Sequence, residues 1–174
     1  MKHLENSGIA SWFILLLIIT GSVPACAQKT FDEKMKSMYS GTVPLIYSEQ
    51  VDSLKAKHQK VYLLDVRTQQ EYDVSHIDQS TFIDYDSFTK KDVESIPKDA
   101  QVVVYCAVGY RSERIGEKLQ KLGYQNVYNL YGGIFDWKFK DKIILNKNGQ
   151  LTDSVHTYNK NWSQWLLKGI KVYD

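Results

Sequence analysis

Cys106 stands in the run Val102-Val103-Val104-Tyr105-Cys106-Ala107-Val108-Gly109-Tyr110-Arg111-Ser112. The β-branched residues before it predict a buried strand over 101–105. After it, Ile115, Leu119 and Leu122 recur at helical spacing, and Gly123 marks a stop, which predicts a helix over 112–122. Cys106 therefore closes a strand a few residues before a helix begins. In open parallel sheets, ligand sites lie just beyond the carboxyl ends of the strands. A short loop there can curl its amide N–H groups inward, and the helix N-terminus adds positive potential. Such a setting stabilises a thiolate and makes Cys106 a candidate nucleophile. Gly109 permits the positive φ of a tight curl. Arg111 can add charge-assisted hydrogen bonds to the loop or to an anionic ligand. The candidate binding set is thus Ala107, Val108, Gly109, Tyr110, Arg111 and Ser112. The competing reading is an inert, buried cysteine.

The chain has two cysteines, Cys26 and Cys106. Cys26 falls in an N-terminal segment unlike the rest. Lys2 precedes an almost wholly apolar run, Ile9 to Thr20, which ends at Gly21, Ser22 and Pro24. The run is too short for a spanning helix, which needs about 20 residues. Basic start, short apolar middle and small residues read as a secretory signal over 1–27, with an uncleaved anchor as the alternative. Two processing routes fit. Ala25-Cys26-Ala27 has the A-x-A form of ordinary cleavage, and Val23-Pro24-Ala25-Cys26 resembles a bacterial lipobox that would lipidate Cys26. Both imply export to the cell envelope, as a periplasmic protein or one attached to the membrane by a lipid. Either route leaves Cys106 without an intrachain partner, and a lone thiol in an oxidising compartment is a hazard unless it has a use.

The elements that must position Cys106 follow from the alternation of apolar patterns. Residues 28–41 are polar and read as a tether. From 42 to 139, short apolar runs at Leu45-Ile46, Val61 to Leu64, Thr81 to Ile83, Gln101 to Tyr105 and Val127 to Leu130 alternate with amphipathic stretches. Ser48 reads as the cap of a helix reaching about Ala56, and Thr68 with Glu71 has capping-box spacing. A short helix is expected between Asp86 and Glu94, and another after Gly132-Gly133, carrying Phe135 and Trp137. No hairpin signal interrupts this alternation. The expected fold class is α/β, a mainly parallel five-stranded sheet flanked by helices on both faces. Residues 140–174 read as an extension that packs on the domain. It holds a turn at Asn148-Gly149 and a short helix near Trp162 and Trp165, and an arm is favoured there over a lid.

Composition bounds the function. The chain has 174 residues, 43% hydrophobic, with a net charge of +2, which suits one globular domain and disfavours disorder. So small a charge gives no footprint for nucleic-acid binding. No group of Cys and His has zinc spacing, so no metal is expected.

Several segments together resemble a known family. Leu64-Asp65-Val66-Arg67 with Glu71-Tyr72 is similar to a D-V-R…E-[FY] motif, and Ser75-His76-Ile77 to G-H-I. Cys106 to Ser112 is similar to an active loop C-x-x-G-x-R-S. Leu122-Gly123-Tyr124, Val127 to Leu130 and Gly132-Gly133 to Trp137 follow a closing segment. In this order they resemble the single-domain rhodaneses, thiosulfate or persulfide sulfurtransferases. The resemblance implies that Cys106 takes a sulfur atom from a small-molecule or protein-bound donor, holds it as a persulfide and passes it to a thiol acceptor, with no cofactor. The C-x4-R loop suits one sulfur atom, whereas the phosphatase relatives have one residue more. Ser75 stands where the family has Gly, and Asp78-Gln79-Ser80 replaces a Gly-rich turn. Ala107, Val108 and Tyr110 are uncharged, which implies modest thiosulfate activity and a preference for a less charged or protein-bound donor.

The remaining residues favour structural roles. Asp65 and Arg67 leave a strand end and either buttress the loop or belong to an ion-pair network, with Arg67 and Glu71 at i, i+4. His76 reads as structural and His156, in the tail, as a surface or packing residue, with Trp137, Trp162 and Trp165 as core. The competing functions are a binding module on the same fold with little catalysis, thiol–disulfide chemistry without a resolving cysteine, and phosphate-ester hydrolysis.

Overall fold

The computed structural model describes residues 25–57 and 59–173. The segment read as a secretory signal lies mostly outside them. Five parallel strands form the central sheet: β1 (Leu45–Ile46), β2 (Val61–Asp65), β4 (Ser80–Phe82), β5 (Gln101–Tyr105) and β6 (Asn126–Leu130). Their spatial order is β1-β6-β5-β2-β4. The α/β class and the parallel five-stranded sheet agree with the sequence reading. β5 lies at the centre, and Val102, Val103 and Val104 are fully buried. Each such side chain contributes about 1.5–3 kcal/mol by burial. The register pairs Asp65 with Tyr105, so the ends of β2 and β5 lie side by side immediately before Cys106.

Strand alternation divides the core into two layers. Val103 and Tyr105 face a cluster formed with helices α1 (Ala25–Met38), α2 (Ser48–Ala56) and α5 (Gly133–Phe139). Val102, Val104 and Cys106 face the other cluster, with Ile115 and Leu119 of α4 (Tyr110–Lys121). The sheet is therefore covered on both sides. Helix α3 (Gln69–Val74) starts at the expected capping box, with the Glu71 amide donating to Thr68 Oγ1 at 3.3 Å and the Thr68 amide to Glu71 Oε2 at 3.0 Å.

Several boundaries differ from the sequence reading. Residues 28–41 are not a tether: α1 occupies most of them, with Phe31 and Met35 buried against the sheet. Phe31, Met35 and Met38 stand at i, i+4 and i+7, one stripe of an otherwise polar helix, so its apolar face is narrow. Tyr47, not Ser48, is the cap of α2; its amide donates to Gln50 Oε1 at 2.9 Å. Between Asp86 and Glu94 the chain makes only a 3-10 turn at Lys90–Val93.

The extension adds short pieces. Strand β7 (Ile144–Leu145) pairs antiparallel with β3 (His76–Ile77), and β8 (Ser154–His156) pairs parallel with β9 (Ile170–Val172). The Asn148-Gly149 turn is present, closed by the Asn146 amide on the Gln150 carbonyl at 2.9 Å. Helix α6 (Lys160–Ser163) follows, capped by Asn159, whose side chain accepts from the Trp162 amide at 3.1 Å. Val155 and Leu166 are buried in the cluster on the α5 side, so the extension packs on the domain.

Candidate active site

The loop from Cys106 to Gly109 is held from behind by its carbonyls. Cys106 O accepts from the Ile134 amide at 3.0 Å and Ala107 O from the Phe135 amide at 3.2 Å, both in the first turn of α5. Val108 O accepts from the Tyr39 hydroxyl at 2.6 Å. Gly109 O accepts from Asn129 Nδ2 at 2.9 Å and from the Glu113 amide at 3.2 Å. In a trans peptide the N–H points opposite to the C=O. Carbonyls tied outward therefore turn the following amides the other way. One of these, Gly109 N–H, donates to Cys106 Sγ at 3.2 Å.

Two glycines make this curl. Gly109 has φ +101, and a Cβ there would fall 2.5 Å from the Tyr39 hydroxyl. Gly133 has φ +55, and its missing Cβ leaves room for the Cys106 carbonyl. Gly132-Gly133 thus lets the start of α5 close on the back of the loop. Ser112 Oγ lies 3.7 Å from Sγ and 2.7 Å from Asn129 Oδ1, so its single proton serves one or the other.

Arg111 is placed differently from the sequence reading. It does not stand free over Cys106: Nη1 and Nη2 donate to Glu71 Oε2 and Oε1 at 2.8 and 2.6 Å, a bidentate pair. Burial pushes the Glu71 carboxyl up, but the Arg111 hydrogen bonds and charge, with Arg67 nearby, hold it below its ordinary value. Glu71 is therefore partnered by Arg111 and not by an i, i+4 contact with Arg67. Arg67 instead donates from Nε and Nη2 to Asp65 at 2.9 and 2.6 Å, and from Nη2 to the Ser75 carbonyl at 2.5 Å. Both partners are fully buried. This pair ties the end of β2 to the end of α3, and α3 presents Glu71 to Arg111. Asp65 and Arg67 thus act on the loop at one remove. His76 stacks on Tyr72 with centroids 4.0 Å apart, and its Nδ1 lies 3.1 Å from the Tyr72 carbonyl.

Cys106, itself buried, lines a cavity of about 380 Å3. Met38, Tyr85, Tyr110, Phe135, Tyr158 and Trp162 contribute to its walls. Ala107, Val108 and Arg111 of the loop line it too. His156 stands outside this lining, but its extension contributes Thr157, Tyr158 and Trp162, so the arm is also a wall of the site. Tyr158 has φ +65, rare for a bulky residue, and the Arg111 guanidinium lies 5.9 Å from its ring centroid.

Sequence reasoning missed Tyr39, Asn129, Met38 and Tyr158 as parts of the site, and assigned Trp162 to the core alone. The helical stripe ending at Met38 was a local signal for α1. Asn129, a polar residue inside an apolar strand, was another. Nothing local marks Tyr39 or Tyr158, whose partners lie far away in sequence.

Comparison with known proteins agrees with this geometry. The family profile described as "Rhodanese-like domain" matches residues 48–140, more than half of the chain. A tRNA uridine(34) hydroxylase of Sodalis glossinidius is 32% identical over 95 residues, covering 52% of this chain and 27% of that protein. The adenylyltransferase and sulfurtransferase uba4 of Ogataea parapolymorpha is 30% identical over 76 residues, covering 44% and 20%. The chain thus spans well under half the length of these curated relatives. Among solved structures, a thiosulfate sulfurtransferase from Pseudomonas aeruginosa shares the fold with a TM-score of 0.57 at 22% identity, over 71% of this chain and 23% of that one. A rhodanese-related protein from Thermoplasma volcanium gives 0.52 at 25% identity, over 59% and 97%. The order of strands, the loop that follows β5 and the profile match agree: this chain belongs to the rhodanese-like domain family.

Proposed function

We propose that the protein is a sulfurtransferase that carries a sulfane sulfur on Cys106. The observation that carries this reading is the Gly109 N–H aimed at Sγ within a loop whose carbonyls are all tied outward. In the first step the Cys106 thiolate attacks the outer sulfur of a donor. The new bond joins Sγ to that sulfur, and the donor's sulfur–sulfur bond breaks with its electron pair leaving on the departing group. The persulfide so formed carries its negative charge on the terminal sulfur. The Gly109 N–H, already directed at Sγ, is in place to help stabilise it without rearrangement during the step. In the second step an acceptor thiolate takes the terminal sulfur and restores the Cys106 thiolate. Ser112 and Asn129 hold the loop against α4 and β6 while the charge shifts between the two sulfurs.

The relatives named as tRNA hydroxylases suggest a second activity, but a tRNA substrate needs a surface for a polyanion. Among the described residues lining the cavity, the charged ones are Asp86 and Arg111, and Arg111 is committed to Glu71. The cavity lining is therefore not itself such a surface. We also propose export to the cell envelope. The apolar run that ends near Gly21 supports it, and processing at either expected point leaves Phe31 and Met35, the first buried apolar residues described, in the mature chain.

The test is turnover of a sulfur donor with cyanide as acceptor, read as thiocyanate release. Sustained release by the native chain, with none above background for Cys106→Ser, is the expected outcome. Equal rates for the two proteins would overturn the assignment.

A further inference from the structure

We infer that the cavity over Cys106 is a specificity pocket for small organic sulfur donors with an apolar body and at most one negative charge, and that α1 and the C-terminal extension create this specificity. The inference rests on the sulfur-transfer reading and names the substrate class for the same site. Three observations carry it. First, a volume of about 380 Å3 falls in the range of roughly 300–1,000 Å3 typical of organic ligand sites, far more than a small inorganic dianion fills. Second, the charges in its lining do not suit a dianion. Asp86 is negative, and the Arg111 guanidinium gives two of its five N–H donors to the Glu71 carboxylate, whose charge offsets its own. Third, the walls are aromatic and aliphatic, and part of them lies outside the stretch shared with the family. Met38 ends α1, while Tyr158 and Trp162 come from the extension; all three fall beyond residues 48–140.

Tyr158 is the most specific of these. It keeps a left-handed backbone that a bulky residue adopts at a cost, with its amide donating to His156 Nδ1 at 3.1 Å. Its ring is half in solvent, beside Arg111 at the cavity rim. Trp162, held by the Asn159 cap, forms another wall.

Benzenethiosulfonate and methanethiosulfonate are the test probes, because they deliver sulfur by the same chemistry with the same single charge and differ in the size of the apolar body carried on the departing sulfinate. With either, the Cys106 thiolate attacks the outer sulfur, the Sγ–S bond forms, the donor S–S bond breaks, and the electron pair leaves on a sulfinate. Two negative charges enter and two remain. The kcat/KM ratio of the phenyl to the methyl donor is measured with the native chain, Tyr158→Gly and Trp162→Ala. The expected ratio is at least about tenfold for the native chain, from burial of the ring. It should fall at least threefold in Tyr158→Gly, where glycine suits the backbone and folding is not at risk. A native ratio near one, or a ratio unchanged in both variants, would overturn the inference while leaving sulfur transfer standing. Failure of both donors to place sulfur on Cys106 would instead refute the sulfur-transfer reading beneath it.

Discussion

Tyr39→Phe removes one hydroxyl and leaves the ring in place. That hydroxyl bonds two segments at once: it donates to Val108 O at 2.6 Å and accepts from Gly132 N–H at 2.9 Å. Burial pushes the phenol's ionisation well up, so it is a neutral donor throughout the working range. The ring still packs against Gly109 and lies edge-on to Tyr131, with centroids 6.2 Å apart. The substitution therefore isolates the hydrogen bonds. It leaves a carbonyl and an amide without their partner, and each such loss costs about 1–3 kcal/mol when buried. Tyr39 is only partly buried, so water can reach some of the vacated space. The low end applies, about 2 kcal/mol for the two together. For a chain of this size that lowers Tm by roughly 4–8 °C. There is a second consequence. The Val108–Gly109 peptide carries both the carbonyl that Tyr39 holds and the N–H that meets Sγ. Freed at one end, it can rotate, and the rate at which Cys106 gains sulfur should fall about tenfold. Urea denaturation and single-turnover sulfur loading read the two effects separately. Stability within 0.5 kcal/mol of native, with unchanged loading, would refute the claim that Tyr39 holds the loop from behind.

Three further outcomes follow from the same geometry. Gly133→Ala places a Cβ against the Cys106 carbonyl at a positive φ, so it should destabilise the fold by about 2 kcal/mol or more in urea titrations and displace the loop. Glu71→Gln breaks the bidentate pair with Arg111 and should cost about 2–3 kcal/mol at pH 7. Because the folded Glu71 carboxyl is held low, its contribution is present above pH 4.5 and is lost as pH falls through the depressed folded value. The acid limb of the stability curve should therefore shrink in Glu71→Gln. Asp136 behaves in the opposite sense. Burial pushes its carboxyl up from 3.8 to about 6, and Oδ1 finds no hydrogen-bond partner among the described residues. Its proton is bound more tightly in the folded state, so its effect on stability worsens as pH rises from about 4 to about 6. Asp136→Asn should flatten that window and raise stability at pH 7 by about 2 kcal/mol. Thermal melts from about pH 2 to pH 8 check both signs.

The central sheet was legible in the sequence because buried parallel strands are short runs of β-branched residues, and Val102 to Val104 is such a run. The active loop was legible because a strand end, a permissive glycine and a helix start must follow one another closely in sequence. What escaped was what arrives from far away. Tyr39 reaches Val108 across 69 positions, and Met38, Tyr158 and Trp162 meet only over Cys106. Ion pairing escaped for a related reason. The i, i+4 spacing offered Arg67 to Glu71, but the buried end of β2 supplied Asp65 to Arg67, which left Glu71 for Arg111. Helix α1 was hidden by its polar majority, since only one stripe of it meets the core.

The most direct test of the central claim is the intact mass of the chain after exposure to benzenethiosulfonate and removal of excess donor. The native chain should gain one sulfur atom, lost on adding a thiol, mapped to Cys106 and absent from Cys106→Ser. A native chain that stays at its original mass, or a Cys106→Ser variant that gains sulfur equally, would contradict it.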